Sequence, residues 1–276
     1  MNPSSCDVRI GTSGFDYPEW RGVLYPENLP REQFLSFYAR QFSTVELNFS
    51  YYRMPQEGQI EGMLKRAGSG LDFSIKAHES LTHKVDPSNW KEAVAEYRRS
   101  IHPLFRSGKL CAVLLQFPYS FHYDADRRRY LDSLLRELFD LPLVVEFRNN
   151  AWHIPRVWEA LQTRQVGFCA TDMPNLTGLP EAEEVVTAPV AYLRFHGRNR
   201  ETWWGSDAAA RFDYLYTEEE LRPWVPKIIR MAQKAHRFRI YFNNHRRGQA
   251  AVNARMLQRL LPRDVFRSVG GENRIG

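Results

Sequence analysis

The sequence predicts an α/β protein built as a single-domain (β/α)8 TIM barrel. Eight short apolar runs alternate with helical patterns, and no Gly- or Ser-rich linker or shift of composition divides the 276 residues. The rival architecture, an open doubly wound sheet, would need a phosphate loop of the GxGxxG or GxxxxGK[ST] type, and none is present. "GTSG" at 11–14 is too short to fill that role. Strands joined through helices pair in parallel, and a parallel sheet must bury both faces, which closure into a barrel achieves at this chain length.

Strands are expected in order at 8–14 (VRIGTSG), 44–50 (TVELNFS), 71–77 (LDFSIKA), 111–117 (CAVLLQF), 143–149 (LVVEFRN), 166–171 (VGFCAT), 190–196 (VAYLRFH) and 238–244 (FRIYFNN). Each is a short alternating or wholly apolar run. Between them, apolar residues recurring every three or four positions predict helices at 32–42, 60–67, 90–105, 127–139, 157–164, 218–235 and 250–261. "DPSNW" offers Asp86 or Ser88 as an N-cap, and "TEEE" at 217–220 reads as a capping box between Thr217 and Glu220. "MPNLTGLP" and "TAPV" break any long helix between 173 and 189, so one crossover should be irregular. Residues 1–262 are assigned to the barrel and 263–276 to a poorly ordered tail.

With 43% hydrophobic, 13% aromatic and 25% charged residues, the chain can bury a large core, which excludes disorder and fibre. The net charge of +6 is small for the length and scattered through short clusters such as "DRRRY" (126–130) and "NHRRG" (244–248). Cys6, Cys111 and Cys169 are odd in number and far apart, two of them within apolar runs, so they read as buried reduced thiols in a cytoplasmic protein. No basic-then-apolar leader and no run of 18 apolar residues predicts export or membrane insertion.

The chemistry is predicted by strand parity. In "PLVVEFRNN", Leu143, Val145 and Phe147 share one face while Glu146 and Arg148 share the other. The same alternation sets Glu46 and Asn48, Lys76, Gln116, Arg194 and His196, and Asn243 against the apolar rows of their own strands. On a barrel, that polar face points inward and its carboxyl ends form the active-site rim. Asp172 follows its strand directly but has the parity of Phe168 and Ala170, which leaves its direction open. If it joins the rim, Glu46, Glu146 and Asp172 balance Lys76, Arg148 and Arg194 with no metal required.

Three chemical readings follow. Glu146 or Glu46 can act as general base or acid while Arg148 and Arg194 clamp an anionic substrate. Alternatively Glu46, Glu146, Asp172 and His196 can ligate a divalent cation, against which the Lys76 ammonium weighs. Finally, Lys76 can form a Schiff base if burial lowers its pKa, although two nearby carboxylates would keep it charged. The first is preferred of the three, a structural ion-pair network of Glu46, Lys76, Glu146 and Arg148 closing the barrel's upper layer stands beside it, and no cofactor is predicted. His78 and His83 lie in the loop after the third strand. Aromatic residues crowd the rim loops: Phe15, Tyr17, Trp20, Tyr25, Tyr51, Tyr52, Trp203 and Trp204. Exposed rings could stack a sugar or a base, and with Arg246 and Arg247 could hold a single-stranded nucleic acid, the binding-module alternative.

The stretches "IGTSGFDYPEWRGVLYP", "TVELNFSYYRMP", "FSIKAHESLTH", "LLQFPYSF", "VVEFRNNAWH", "AYLRFHGR", "YTEEELRPW" and "YFNN" resemble the successive signatures of the YecE-like family, domain of unknown function 72. The resemblance runs from about residue 8 to about 260 and implies a TIM barrel in a bacterial or archaeal cytosolic protein, with no settled activity. It matches at Glu46, Asn48, Tyr52, Lys76, Gln116, Glu146, Arg148, Arg194, His196, Gly197 and Asn243. His245 stands where the family pattern leads one to expect an acidic residue, which removes a carboxylate from the rim. The combined expectation is an acid/base enzyme of hydrolase, lyase or isomerase type acting on a small, polar or anionic substrate. Glu46, Glu146, Lys76 and His196 would be catalytic, and Arg148, Arg194, Asn48, Tyr52, Gln116, Asn243 and Trp20 would bind substrate. Oligomeric state has no sequence signal.

Overall fold

The structure of the chain, a computed structural model, describes residues 6–205 and 208–266. Eight parallel strands close on themselves in chain order: β1 (Asp7–Ser13), β2 (Thr44–Leu47), β3 (Asp72–Lys76), β4 (Leu110–Phe117), β5 (Leu143–Phe147), β6 (Gly167–Asp172), β7 (Val190–Phe195) and β8 (Arg237–Phe242), the last pairing with the first. β4, β5 and β6 are buried along their whole length, as strands covered on both faces must be. Gly11 sets one strand contact, since a Cβ there would lie 2.1 Å from the Thr44 carbonyl oxygen.

Alternation divides the core in two. Outward residues such as Val45, Phe73, Val145, Phe168 and Leu193 pack against the helices, whereas Ala112, Leu114, Val144, Cys169, Tyr192 and Tyr241 form a separate cluster inside the barrel. That inner cluster is the floor on which the polar side chains nearer the carboxyl ends rest. Below it, Arg239 is buried and pairs with Asp7 and Asp72 near the amino ends of β1 and β3, closing the opposite end.

Helices at Phe34–Gln41, Glu57–Ala67, Trp90–Arg106, Ala125–Glu137, Pro155–Thr163 and Gln249–Leu260 match the periodicity to within a few residues. The run expected at 218–235 is instead split into Glu218–Leu221 and Trp224–Ala232 around Pro223, which has no N–H to donate. The capping box at its start forms as read, Thr217 and Glu220 each satisfying the other's backbone. The expected cap at 86–88 does not form. Asp86 accepts from the backbone and hydroxyl of Ser88 in a local turn, and the helix begins after Asn89 with no side-chain cap. β2 stops at Leu47, and Phe49–Tyr52 makes a helical turn that turns the chain across the rim.

The crossover at 173–189 contains no helix or strand, in agreement with its composition. All three cysteines are buried and unpaired. Arg263–Phe266, placed in the tail by sequence, forms a 3-10 helix; the remainder of that tail lies outside the described residues. Among the described residues no helix is long and apolar enough to cross a membrane.

Candidate functional site

The inward polar residues of β2, β5 and β7 meet in one buried lattice with Arg194 at its centre. Its Nη2 donates to Glu46 Oε1 (2.7 Å) and its Nη1 to Glu146 Oε2 (2.6 Å), so one guanidinium bridges carboxylates from two strands. Glu46 is fully enclosed and otherwise satisfied, accepting from Ser13 Oγ (2.6 Å) and Tyr192 OH (2.7 Å). Glu146, also fully enclosed, accepts on its other oxygen from Arg148 Nε. Burial alone would raise the Glu146 pKa, but Arg148, Arg194 and His196 hold it well below the ordinary carboxylate range.

His196 completes the lattice in its neutral form. Burial and then Arg148 push its pKa down to about 3. Its Nδ1 faces two donors, Asn243 Nδ2 (3.1 Å) and Arg148 Nη2 (3.4 Å), and therefore accepts, which places the proton on Nε2. Nε2 lies 3.2 Å from Glu146 Oε1 but off the line of a hydrogen bond. Glu46, Glu146 and His196 are thus brought together as the parity required, yet all three are fully enclosed.

Asp172 does not join them. Like Phe168 and Ala170 it points out of the barrel, where its two oxygens accept from Arg198 Nε (2.9 Å) and Nη2 (2.6 Å), Tyr216 OH (2.7 Å) and Trp224 Nε1 (2.7 Å). The same tyrosine hydroxyl accepts from the N–H of Gly197, whose φ of +85° and contact with Tyr214 leave no room for a side chain. Asp172 is a clamp on the β6–β7 edge. Asp172→Asn should lower stability by about 1.5–3 kcal/mol, read by urea denaturation, and leave ligand binding at the rim unchanged; a binding defect in a stable variant would refute this placement.

Removing Asp172 alters the charge balance. The lattice holds two carboxylates, Glu46 and Glu146, against Arg194, Arg148 and Lys76, a surplus of one positive charge whenever Lys76 is protonated. Lys76 carries that surplus. Among the described residues no carboxylate lies within ion-pair distance of it, and its Nζ sits 3.8 Å from the centroid of the Tyr51 ring. The two carboxylates expected to keep Lys76 charged are both already held by arginines. Burial, and then Arg194, lower its pKa from the usual lysine range to about 7 against the pull of Glu146 and Glu46.

Lys76 faces a rim cavity of about 270 Å³ together with Gln116 and Arg148. Tyr51, Tyr52, Trp203 and Trp204 supply its aromatic walls, with Tyr52 70% and Trp204 48% exposed. Arg148 spans both worlds, holding Glu146 from the rim side and lying 5.7 Å from the centroid of Trp203. His83 also lines the cavity, and burial followed by the nearby Lys76 lowers its pKa to about 3. His78 instead bonds Ser80 at the start of a 3-10 turn.

Other expected contacts fall elsewhere. Trp20 is fully buried and donates its indole N–H to the His245 carbonyl (2.6 Å), tying the β1 and β8 loops together, so it cannot stack on a ligand. Asn48 lines a neighbouring cavity of about 720 Å³, with Tyr52 on the wall between the two. Asn243 acts through His196 and is not on the cavity wall. Arg246 (3.3 Å) and Arg247 (3.8 Å) both lean on Asp213, which partly neutralises the basic loop. Among the described residues no three His, Cys, Asp or Glu side chains come together as metal ligands.

Sequence reasoning missed Tyr119, Phe212 and Arg211 on the cavity wall and Ser13 at Glu46. Carrying the alternation through "RIGTS" would have found Ser13. The loop residues have no periodicity to betray them.

A sequence model of the family described as "Protein of unknown function DUF72" matches residues 9–271. The UPF0759 protein YunF of Bacillus subtilis is 28% identical over 269 residues, covering 92% of this chain and 94% of its own length. A solved DUF72 family protein from Thermotoga maritima is 36% identical, with a TM-score of 0.84 over 92% of this chain and 98% of its own. One from Enterococcus faecalis is 26% identical, with a TM-score of 0.82 over 92% and 95% of the two chains.

Proposed function

The chain belongs to the DUF72 family, and from that premise we propose that it is a small-molecule enzyme of acid/base type whose substrate carries an anionic group into the rim cavity. The observation that supports this reading most directly is the unneutralised Lys76 ammonium beside Arg148 at the floor of a pocket. A buried surplus cation is costly, and an incoming carboxylate or phosphate relieves that cost while Arg148 offers it a planar pair of donors.

In this reading the acid/base role passes from Glu146 and Glu46 to Lys76, because a group that titrates near neutral pH can both take and return a proton. The two glutamates and His196 become the scaffold that aims Arg148. With neither a nucleophile triad nor a carboxylate open to water at the cavity among the described residues, lyase or isomerase chemistry fits better than hydrolysis. The aromatic walls would cover the apolar part of the substrate and exclude water. The pairing of Arg246 and Arg247 with Asp213 favours a small molecule over a nucleic acid strand.

Inorganic sulfate, whose charge does not change across neutral pH, is the first probe, followed through the fluorescence of Trp203 and Trp204. Saturable binding is expected, tightening as pH falls through about 7 while Lys76 gains its proton. Arg148→Met should weaken it by about 10- to 100-fold, the equivalent of one or two charge-assisted hydrogen bonds. The absence of any saturable signal between pH 6 and pH 8 would sink the reading.

A further inference from the structure

We propose that Lys76 is a carbonyl-trapping nucleophile: its Nζ condenses with a small anionic aldehyde or ketone whose carboxylate or phosphate is held by Arg148. The inference rests on the anion-binding reading above and names the class of substrate.

The geometry singles out this amine. Lys76 lies at the carboxyl end of β3 with its side chain still partly accessible from the cavity, whereas Lys65, Lys84, Lys91 and Lys234 are exposed on the outer surface. A lysine kept for structure would be expected to donate to a carboxylate. Here both nearby carboxylates are taken, Glu46 by Ser13, Tyr192 and Arg194, and Glu146 by Arg148 and Arg194. What remains against Nζ is the face of Tyr51, which covers one side of the amine and attracts its ammonium form without taking its proton. An amine so placed is partly unprotonated at neutral pH. The cavity of about 270 Å³ falls just below the roughly 300–1,000 Å³ of sites for drug-sized ligands, which suits a compact substrate of a few carbons.

The step balances without any co-reactant. The Nζ lone pair attacks the carbonyl carbon and forms a C–N bond, and the oxygen of the resulting carbinolamine takes up both protons that the amine gives away. That oxygen leaves as water, and the C=N bond of the imine replaces the C=O bond. Arg148 holds the anionic end, so the carbonyl is presented to one amine only. The protonated imine then draws electrons from the adjacent carbon, the use to which lyases and isomerases put such an adduct.

The test uses the full chain with pyruvate as probe and sodium cyanoborohydride as the reductant that fixes any imine, with the adduct located by peptide mass mapping. L-Lactate, an anion of the same shape lacking the carbonyl, serves as competitor and as a separate fluorescence ligand for Trp203 and Trp204. The expected result is one reduced adduct per chain at Lys76, formed at least tenfold faster than at Lys65, Lys84, Lys91 or Lys234 and slowed at least tenfold by lactate. Lys76→Met should lose it. If lactate binds but Lys76 stays unmodified, the carbonyl inference falls while anion binding stands. If lactate neither binds nor protects and Lys76 is no more reactive than the surface lysines, both fall. A fast adduct at Lys76 that lactate does not slow would also overturn the proposal, because the carbonyl would not be arriving through the anion site.

Discussion

Arg194→Met is expected to lower the free energy of unfolding by about 3–5 kcal/mol, the largest loss foreseen for a single substitution in the barrel. Arg194 is 2% exposed and is the one side chain that bridges the two fully enclosed carboxylates. Without it Glu46 keeps only the hydroxyls of Ser13 and Tyr192, and Glu146 keeps Arg148. A buried charge stripped of its partner costs far more than the intact pair contributes, because the desolvation penalty stays while the Coulombic attraction goes. Adding Glu46→Gln to Arg194→Met should recover part of the loss, since it removes one orphaned charge and keeps an acceptor for Ser13 and Tyr192. Urea denaturation of the two variants decides the matter; a loss below about 1 kcal/mol for Arg194→Met would mean that water reaches the lattice and that it is not the sealed floor described above.

The residues of this lattice were legible because strand alternation is strict. "AYLRFH" sets Arg194 and His196 opposite Leu193 and Phe195, and the fold places them on the inner face as that pattern demands. The same rule, taken at its word, would have turned Asp172 outward with Phe168 and Ala170. What no local pattern could supply was the reason for an outward carboxylate, since Tyr216 and Trp224 come from elements 44 and 52 residues further on. The eight strands were readable for a related reason, since their apolar runs are bounded by polar turns and each pairs with the next in order. Trp20 was misplaced because an aromatic residue in a rim loop has the same sequence signature whether it faces the ligand or bolts one loop to another. The electrostatics of Lys76 were not legible in the sequence. Its distance in sequence from Arg194 hides the fact that the carboxylates around it are already paired.

Lys76→Met should do the opposite of Arg194→Met and stabilise the fold, by about 4 kcal/mol near neutral pH, although both substitutions delete a cation from the same site. The difference lies in what each cation does for its neighbours. Arg194 neutralises two charges, whereas Lys76 faces the ring of Tyr51 and an arginine-rich lattice that repels it. The folded-state pKa of Lys76 is lowered, by burial first and Arg194 second, to about 7 from the 10.5 of an unperturbed lysine. Below about pH 7 both states carry the proton, and the native state bears the full cost of the enclosed ammonium. Between there and the unfolded value the unfolded chain binds more protons, so wild-type stability rises with pH through this window. His83 and His196, each near 3, are already neutral there, and Glu146 stays ionised, so they contribute no slope. The advantage of Lys76→Met over wild type should therefore shrink by about 2 kcal/mol between pH 7 and pH 9. Sulfate binding in the variant should weaken and lose its dependence on pH across neutrality. A substitution that stabilises the barrel while weakening ligand binding is the signature of a residue held at a cost to the fold for the sake of its chemistry. If Lys76→Met instead destabilises the protein, or leaves the slope of stability against pH untouched, Lys76 is a structural cation and the site must be sought elsewhere on the rim.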